Sequence, residues 1–248
     1  LSELINFAHR GAAGHRPENT MVSFRYALEL GATGIETDVQ MTRDGHLVLI
    51  HDESLQRTTG SPAWVKDITL EELRQLEAGS WYDEKYRGER IPTLEELLEL
   101  VRQAESRVVL NLELKNGLIQ YPELERKVIE AVRACGLSEQ TVISSFNHYS
   151  LVECKALAPE IKTGILYMEG LYEPWKYAGA IRAEALHAIQ YAVRPEFVAE
   201  ATAHGVAYHP FTVNEIHEMT ALIQAGVAGM ITDYPDRLAG LLSNKTGA

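Results

Sequence analysis

Short apolar runs alternate with amphipathic stretches along the whole chain. The runs that read as strands are Asn6–Ala8, Gly34–Val39, Arg107–Leu114, Thr141–Ser145, Thr163–Tyr167, Ala185–Ile189, Val206–Thr212 and Gly229–Thr232. Between most of them, apolar residues recur with helical period. Such segments are Met21–Leu30 (Val22, Tyr26 and Leu30 on one face), Thr93–Glu105, Pro122–Cys135, Tyr149–Leu157, Pro195–His204 and Glu215–Ala225. Gly31, Gly136, Gly205 and Gly226 each follow a helical segment, where a helix stop belongs. Repeated strand–helix units predict a parallel α/β sheet. About eight of them predict closure into a (β/α)8, or TIM, barrel rather than an open doubly wound sheet.

Two stretches break the rhythm. In Thr37–Asp52, strand-like runs flank Asp44-Gly45, a strong hairpin-turn dipeptide. With a two-residue turn, Arg43 faces His46 and Asp38 faces His51, which sets His51 beside Asp38. The second stretch, Glu53–Ile91, carries Trp64, Trp81, Tyr82 and Tyr86, with one helix near Leu70–Glu77. It is too long for an ordinary loop. It reads as a small subdomain, 53–91, inserted after the second strand of a single barrel domain spanning 1–248.

Composition narrows the classes. The 248 residues include 46% hydrophobic and 23% charged, ordinary values for a globular protein. A formal net charge of -12 without a basic stripe argues against nucleic acid as partner. No apolar run is long enough to span a bilayer. The opening Leu1-Ser2-Glu3-Leu4 lacks the basic and apolar regions of a leader, so the expectation is a cytoplasmic protein without permanent membrane attachment. Cys135 and Cys154 lie in helical segments and read as small core residues. No particular oligomeric state is implied.

In a barrel, polar residues at the C-terminal ends of strands mark the working face. Here those are His9-Arg10, Glu36 with Asp38, Asn111, Glu113 and Lys115, Ser144-Ser145, His187, His209, Thr212 with Asn214, and Thr232-Asp233. Strand period puts Glu36 and Asp38 on one face, and Asn111, Glu113 and Lys115 on one face. Three carboxylates at adjacent strand mouths repel one another. A hard divalent cation relieves that repulsion, because it takes oxygen ligands. The alternative is a buried ion network with Arg10 and Lys115. His9 and His51 both end strands near the carboxylates, which suits proton transfer near neutral pH; the alternative is that both ligate metal. His187 and His209 either line the pocket or simply sit at strand ends.

These segments together resemble the glycerophosphodiester phosphodiesterase family. The resemblance rests on His9-Arg10-Gly11, Pro17-Glu18-Asn19-Thr20, Glu36-Thr37-Asp38-Val39 and His51-Asp52. It continues through Leu112-Glu113-Leu114-Lys115, Ser144-Ser145-Phe146, Thr212-Val213-Asn214 and Ile231-Thr232-Asp233-Tyr234-Pro235, and so covers nearly the whole chain. It implies one divalent cation, Mg²⁺ or Ca²⁺, on Glu36, Asp38 and Glu113, with His9 and His51 as the acid–base pair. It implies hydrolysis of a small glycerophosphodiester, such as glycerophosphocholine or glycerophosphoethanolamine, to glycerol 3-phosphate and an alcohol, within glycerol and lipid metabolism. By analogy with related barrel phospholipases, the glycerol 2-hydroxyl attacks first and water opens the cyclic phosphate. Arg10 and Lys115 are then substrate contacts, Glu18 shapes the site or reaches the metal, and Asn19 caps the next helix. The pattern departs from the family at Phe211, where tryptophan is frequent, and at Ala188, where proline is common; both positions are read as pocket lining. Two rivals stand beside this reading. One is a lipid-cleaving barrel relative, for which Leu166–Lys176 with Tyr167, Tyr172 and Trp175 is the loop to watch. The other is a catalytically dead barrel that only binds.

Overall fold

A computed structural model describes residues 4–243; the first three residues of the segment read for a leader lie outside them. Its strands are β1 (Ile5–His9), β2 (Gly34–Met41), β3 (Leu47–Leu49), β4 (Val109–Leu114), β5 (Thr141–Ser145), β6 (Lys162–Tyr167), β7 (Ala185–Ala188), β8 (Ala207–Tyr208) and β9 (Gly229–Thr232). The α-helices are α1 (Met21–Glu29), α2 (Gln56–Thr59), α3 (Leu70–Leu73), α4 (Leu94–Arg102), α5 (Leu124–Ala134), α6 (His148–Leu157), α7 (Pro174–Ile181), α8 (Pro195–Ala203), α9 (Ile216–Ala225) and α10 (Pro235–Ser243).

All strands but β3 run parallel in the order β8-β7-β6-β5-β4-β2-β1-β9. The circle closes where Ile231 N donates to Pro210 O and Val213 N donates to Ile231 O, each at 2.9 Å. The chain is therefore a (β/α)8 barrel. One face of each strand packs on the helices: Ile35, Leu110, Leu112, Leu114, Ile143, Ile165 and Leu186 join Leu94, Leu97, Leu98 and Val101 of α4 in the main core. Those α4 positions recur at helical spacing, and a capping box of Thr93 and Glu96 starts the helix. The other strand faces fill the barrel. There His187 is fully buried against Gly164, where an added Cβ would lie 2.5 Å from His187 Nε2.

Several sequence expectations need adjustment. Only Ala207–Tyr208 of Val206–Thr212 forms ladder, with a further bridge from Ile189 to Phe211. The helix placed near Leu70–Glu77 ends by Leu73. Helices α7 and α10 were not foreseen. The hairpin register is one residue off the two-residue turn: Val39 pairs with Leu49, Gln40 with Val48 and Met41 with Leu47. The cause is a three-residue turn, Arg43-Asp44-Gly45, in which Gly45 takes φ 87°, the left-handed conformation such hairpins use. Asp38 accordingly receives its cross-strand hydrogen bond from Ile50 N, at 3.0 Å, and not from His51.

The stretch 53–91 has few long elements but its own apolar nucleus: Leu55, Val65, Leu73, Ala78 and Ile91 pack with Val48 and Ile50. It also reaches back to the loop after β1, where Tyr82 Oη donates to Gly14 O at 3.1 Å.

Candidate active site

The parallel registry sets His9 beside Glu36, and Asp38 beside Glu113. One carboxylate oxygen each from Glu36, Asp38 and Glu113 falls within 4.8 Å of the others; Glu36 and Asp38 are fully buried and Glu113 is mostly so. Two cations enter the cluster. Arg10 Nε lies 3.2 Å from Asp38 Oδ2, and Lys115 Nζ lies 3.0 Å from Glu113 Oε1 and 3.8 Å from Asp38 Oδ1. Glu36 has neither cation on it. It accepts the Arg10 backbone N–H at 3.0 Å and stands 3.9 Å from His9 Nε2.

The electrostatics follow from that shortage. Burial pushes the Glu36 carboxyl well above its usual range, and the charges of Asp38 and Glu113 add to the effect. Burial and Asp38 push Glu113 up to about 7 despite Lys115. At Asp38 burial acts the same way, but Arg10, Lys115 and His51 outweigh it and hold this carboxyl below its usual range. Both parts of the sequence alternative are thus present: an ion network forms, yet it leaves the three acids short of positive charge. Oxygen ligands of Mg²⁺ or Ca²⁺ sit about 2.0–2.6 Å from the ion, hence no more than about 5 Å apart. An all-oxygen donor set with this spacing and this charge deficit fits such an ion.

Two histidines accompany the acids, His9 near Glu36 and His51 near Asp38, each held by its own carboxylate. His9 Nδ1 hydrogen-bonds Asp233 Oδ1 at 2.7 Å, and His51 Nδ1 hydrogen-bonds Asp52 Oδ1 at 2.7 Å. Both rings therefore keep Nε2 for other partners. Burial works against the charged form of His51 and lowers its pKa, though Asp38 opposes this. Asp233 also accepts from Asn214 Nδ2 at 2.7 Å. Burial raises the Asp233 carboxyl, but the bond and charge of His9, the bond from Asn214 and the charge of Arg10 together outweigh it and hold the acid low. Asp52 is held at about 2: burial opposes this, while hydrogen bonds from Arg57 and His51 impose it.

Arg57 ties the two sides together. Its Nε donates to Asp52 Oδ2 at 2.6 Å, and its Nη1 donates to Glu18 Oε2 at 2.9 Å. Glu18 in turn accepts from Arg10 at 3.0 Å. An unbroken line of ion pairs thus runs His51–Asp52–Arg57–Glu18–Arg10–Asp38. Glu18 lies in this outer line, on Arg10 and Arg57.

Asn19 does not cap α1: Thr20 does, accepting from Ser23 N. Asn19 sits at φ 52°, donates to Asp38 Oδ2 at 2.9 Å and accepts from Thr37 Oγ1 at 2.7 Å, so it orients a carboxylate. His187 and His209 bond each other at 3.1 Å inside the barrel, and neither lines the mouth. Ala188 is fully buried in the core and is not pocket lining. Phe211 is half-buried, with its ring edge-on to Phe146 at 6.1 Å. In the loop to watch, Tyr167 and Trp175 are packing residues, while Tyr172 is 90% exposed. Asp233, Asp52 and Arg57 went unassigned from sequence. Asp52 follows His51 directly and Asp233 follows the last strand directly, so both carry a signal; Arg57 carries none.

The model of the glycerophosphoryl diester phosphodiesterase family matches residues 9–237. A glycerophosphodiester phosphodiesterase from Caldanaerobacter subterraneus subsp. tengcongensis is 47% identical over 235 residues, 95% of this chain and 96% of that protein. Among solved structures, a phosphodiesterase from Oleispira antarctica in complex with the product sn-glycerol-3-phosphate superposes with TM-score 0.85 at 31% identity, covering 97% of each chain. A glycerophosphodiester phosphodiesterase from Agrobacterium tumefaciens superposes with TM-score 0.84 at 27% identity, covering 96% of this chain and all of that one.

Proposed function

The chain is an enzyme of the glycerophosphoryl diester phosphodiesterase family, and from that premise we propose that it releases glycerol 3-phosphate from small, water-soluble glycerophosphodiesters by metal-dependent, two-histidine hydrolysis. Glycerophosphocholine and glycerophosphoethanolamine are the substrates to try first. The observation that carries this reading is the buried group of three carboxylates facing two cations, accompanied by two histidines that each rest on an acid. The product complex of the Oleispira antarctica relative supports the choice of product.

In this reading Glu36, Asp38 and Glu113 hold one divalent cation, Mg²⁺ or Ca²⁺. When bound, the ion supplies Lewis-acid stabilisation of charge on the phosphoryl oxygens. Arg10 and Lys115 add positive charge for the same oxygens. His9 and His51 move the protons. Each accepts or gives a proton at Nε2 while its Nδ1–H stays on Asp233 or Asp52, which fixes the tautomer and favours the imidazolium when it forms. One histidine takes the proton of the attacking hydroxyl and the other delivers a proton to the leaving alcohol; in the second half the roles reverse. Phe211, with Phe146 behind it, forms an apolar wall against the substrate. Residues 53–91 act as an inserted subdomain of one barrel domain, contributing Arg57 to the site.

The test is glycerol 3-phosphate release by wild type, His9→Ala and His51→Ala with cation present. Each variant is expected to lose at least about 10²-fold in kcat while keeping its fold. Near-normal rates in both variants refute the acid–base assignment.

A further inference from the structure

We infer that Gln40 and Tyr121 form a buried latch that positions His51. The inference rests on the proposed role of His51 in proton transfer.

The need for a latch comes from the hairpin. β3 ends at Leu49, and Ile50 N makes a ladder bond to Asp38 O at 3.0 Å. His51 follows in a bend outside the strand, where nothing in the ladder fixes its backbone. Its side chain is anchored through Nδ1 by Asp52, its immediate neighbour. That bond orients the ring, and Arg57 ties the Asp52 side chain to Glu18, but neither bond holds the His51 backbone against β2.

Gln40 supplies that placement. It lies on β2 two residues beyond Asp38 and is fully buried. Its Nε2 donates to Ile50 O at 3.1 Å and to His51 O at 3.0 Å. Its Oε1 accepts from Tyr121 Oη at 2.8 Å. Both amide protons are thus used on the two carbonyls, and the tyrosine hydroxyl holds the amide the right way round. Tyr121, itself buried, comes from the loop after β4. The latch therefore joins the three segments that carry Asp38, Glu113 and His51. A buried polar group whose donors and acceptor are all satisfied rigidifies what it touches. Displacement of a proton-transfer group by about 1 Å costs on the order of 10²-fold in rate.

The test measures kcat, KM, the cation concentration for half-maximal activity and Tm for Gln40→Leu and Tyr121→Phe, alone and combined with His51→Ala. Leucine keeps the bulk and removes both donors. Gln40→Leu is expected to lower kcat about 10–100-fold, with KM and the cation requirement within about twofold of wild type. Tyr121→Phe shifts kcat the same way by less, and it carries the test if the leucine variant does not fold. In the His51→Ala background neither change lowers the residual rate further, because the positioned group is gone. A normal kcat in both variants overturns the latch, as does an equal loss in the His51→Ala background, which marks a general structural defect. A fully active His51→Ala enzyme overturns the reading beneath the latch, and the latch's role with it.

Discussion

Asp233 and Asp52 hold His9 and His51 through bonds of equal length, but they are secured differently. Asp233 is fixed by Asn214, which accepts from the Asp233 backbone N–H at 3.0 Å as well as donating to its side chain. Asp52 is fixed by Arg57. Asp233→Asn removes the charge that stabilises a His9 imidazolium and lets an amide N–H face the ring. The expected result is a drop in kcat of about 10–100-fold with KM little changed, read from steady-state kinetics. Single residues were legible where strand period and burial gave the same answer: Glu36, Asp38 and Glu113 meet as their alternation predicts. Asn19 was misread because its side chain has two good uses at that position. Helix capping is local and visible in sequence, whereas the bond to Asp38 depends on how the chain folds back onto β2.

Elements whose two faces differ in polarity were the readable ones. α4 shows its stripe and its cap in the letters Thr93 to Val101. Thr93→Ala removes one half of the capping box and is expected to cost about 1 kcal/mol, lowering Tm by about 2–4 °C with kcat unchanged, which thermal unfolding and a rate assay check together. α7 was not seen, since Pro174, Trp175, Tyr177, Ala178, Ala180 and Ile181 leave it apolar on most sides and without a period. The hairpin register was missed by one residue for a different reason. Asp44-Gly45 serves two- and three-residue turns equally, and the choice depends on tertiary bonds: Asp44 accepts from Leu70 N at 3.0 Å, and Arg43 N donates to Ile68 O at 2.8 Å. His51 reaches the site despite the shift because the strand ends before it.

At the scale of the whole molecule, a barrel of net charge -12 gathers three acids at its mouth and buries them. This carries a stability cost that depends on pH. Glu113 is raised from 4.5 to about 7 on folding, so between these values the folded state binds more protons and its stability falls as pH rises. Buried His187 and His209 act oppositely, since burial lowers both, His209 to about 4. A variant comparison separates the two. In chelated protein, Glu113→Gln should raise stability at pH 8 relative to its effect at pH 5, on the order of 1–3 kcal/mol, as read by denaturant unfolding. An equal effect at both pH values contradicts the buried-charge account of Glu113. With Mg²⁺ or Ca²⁺ added, wild type should recover this difference and the variant should not.

Metal dependence is tested most directly by release of glycerol 3-phosphate from glycerophosphocholine and glycerophosphoethanolamine, first after chelation and then with Mg²⁺ or Ca²⁺ restored. A cation held by the three carboxylates predicts silence after chelation, release when a cation returns, and a higher cation requirement in Glu113→Gln. Full release from the chelated enzyme, or a cation requirement that Glu113→Gln leaves unmoved, contradicts it.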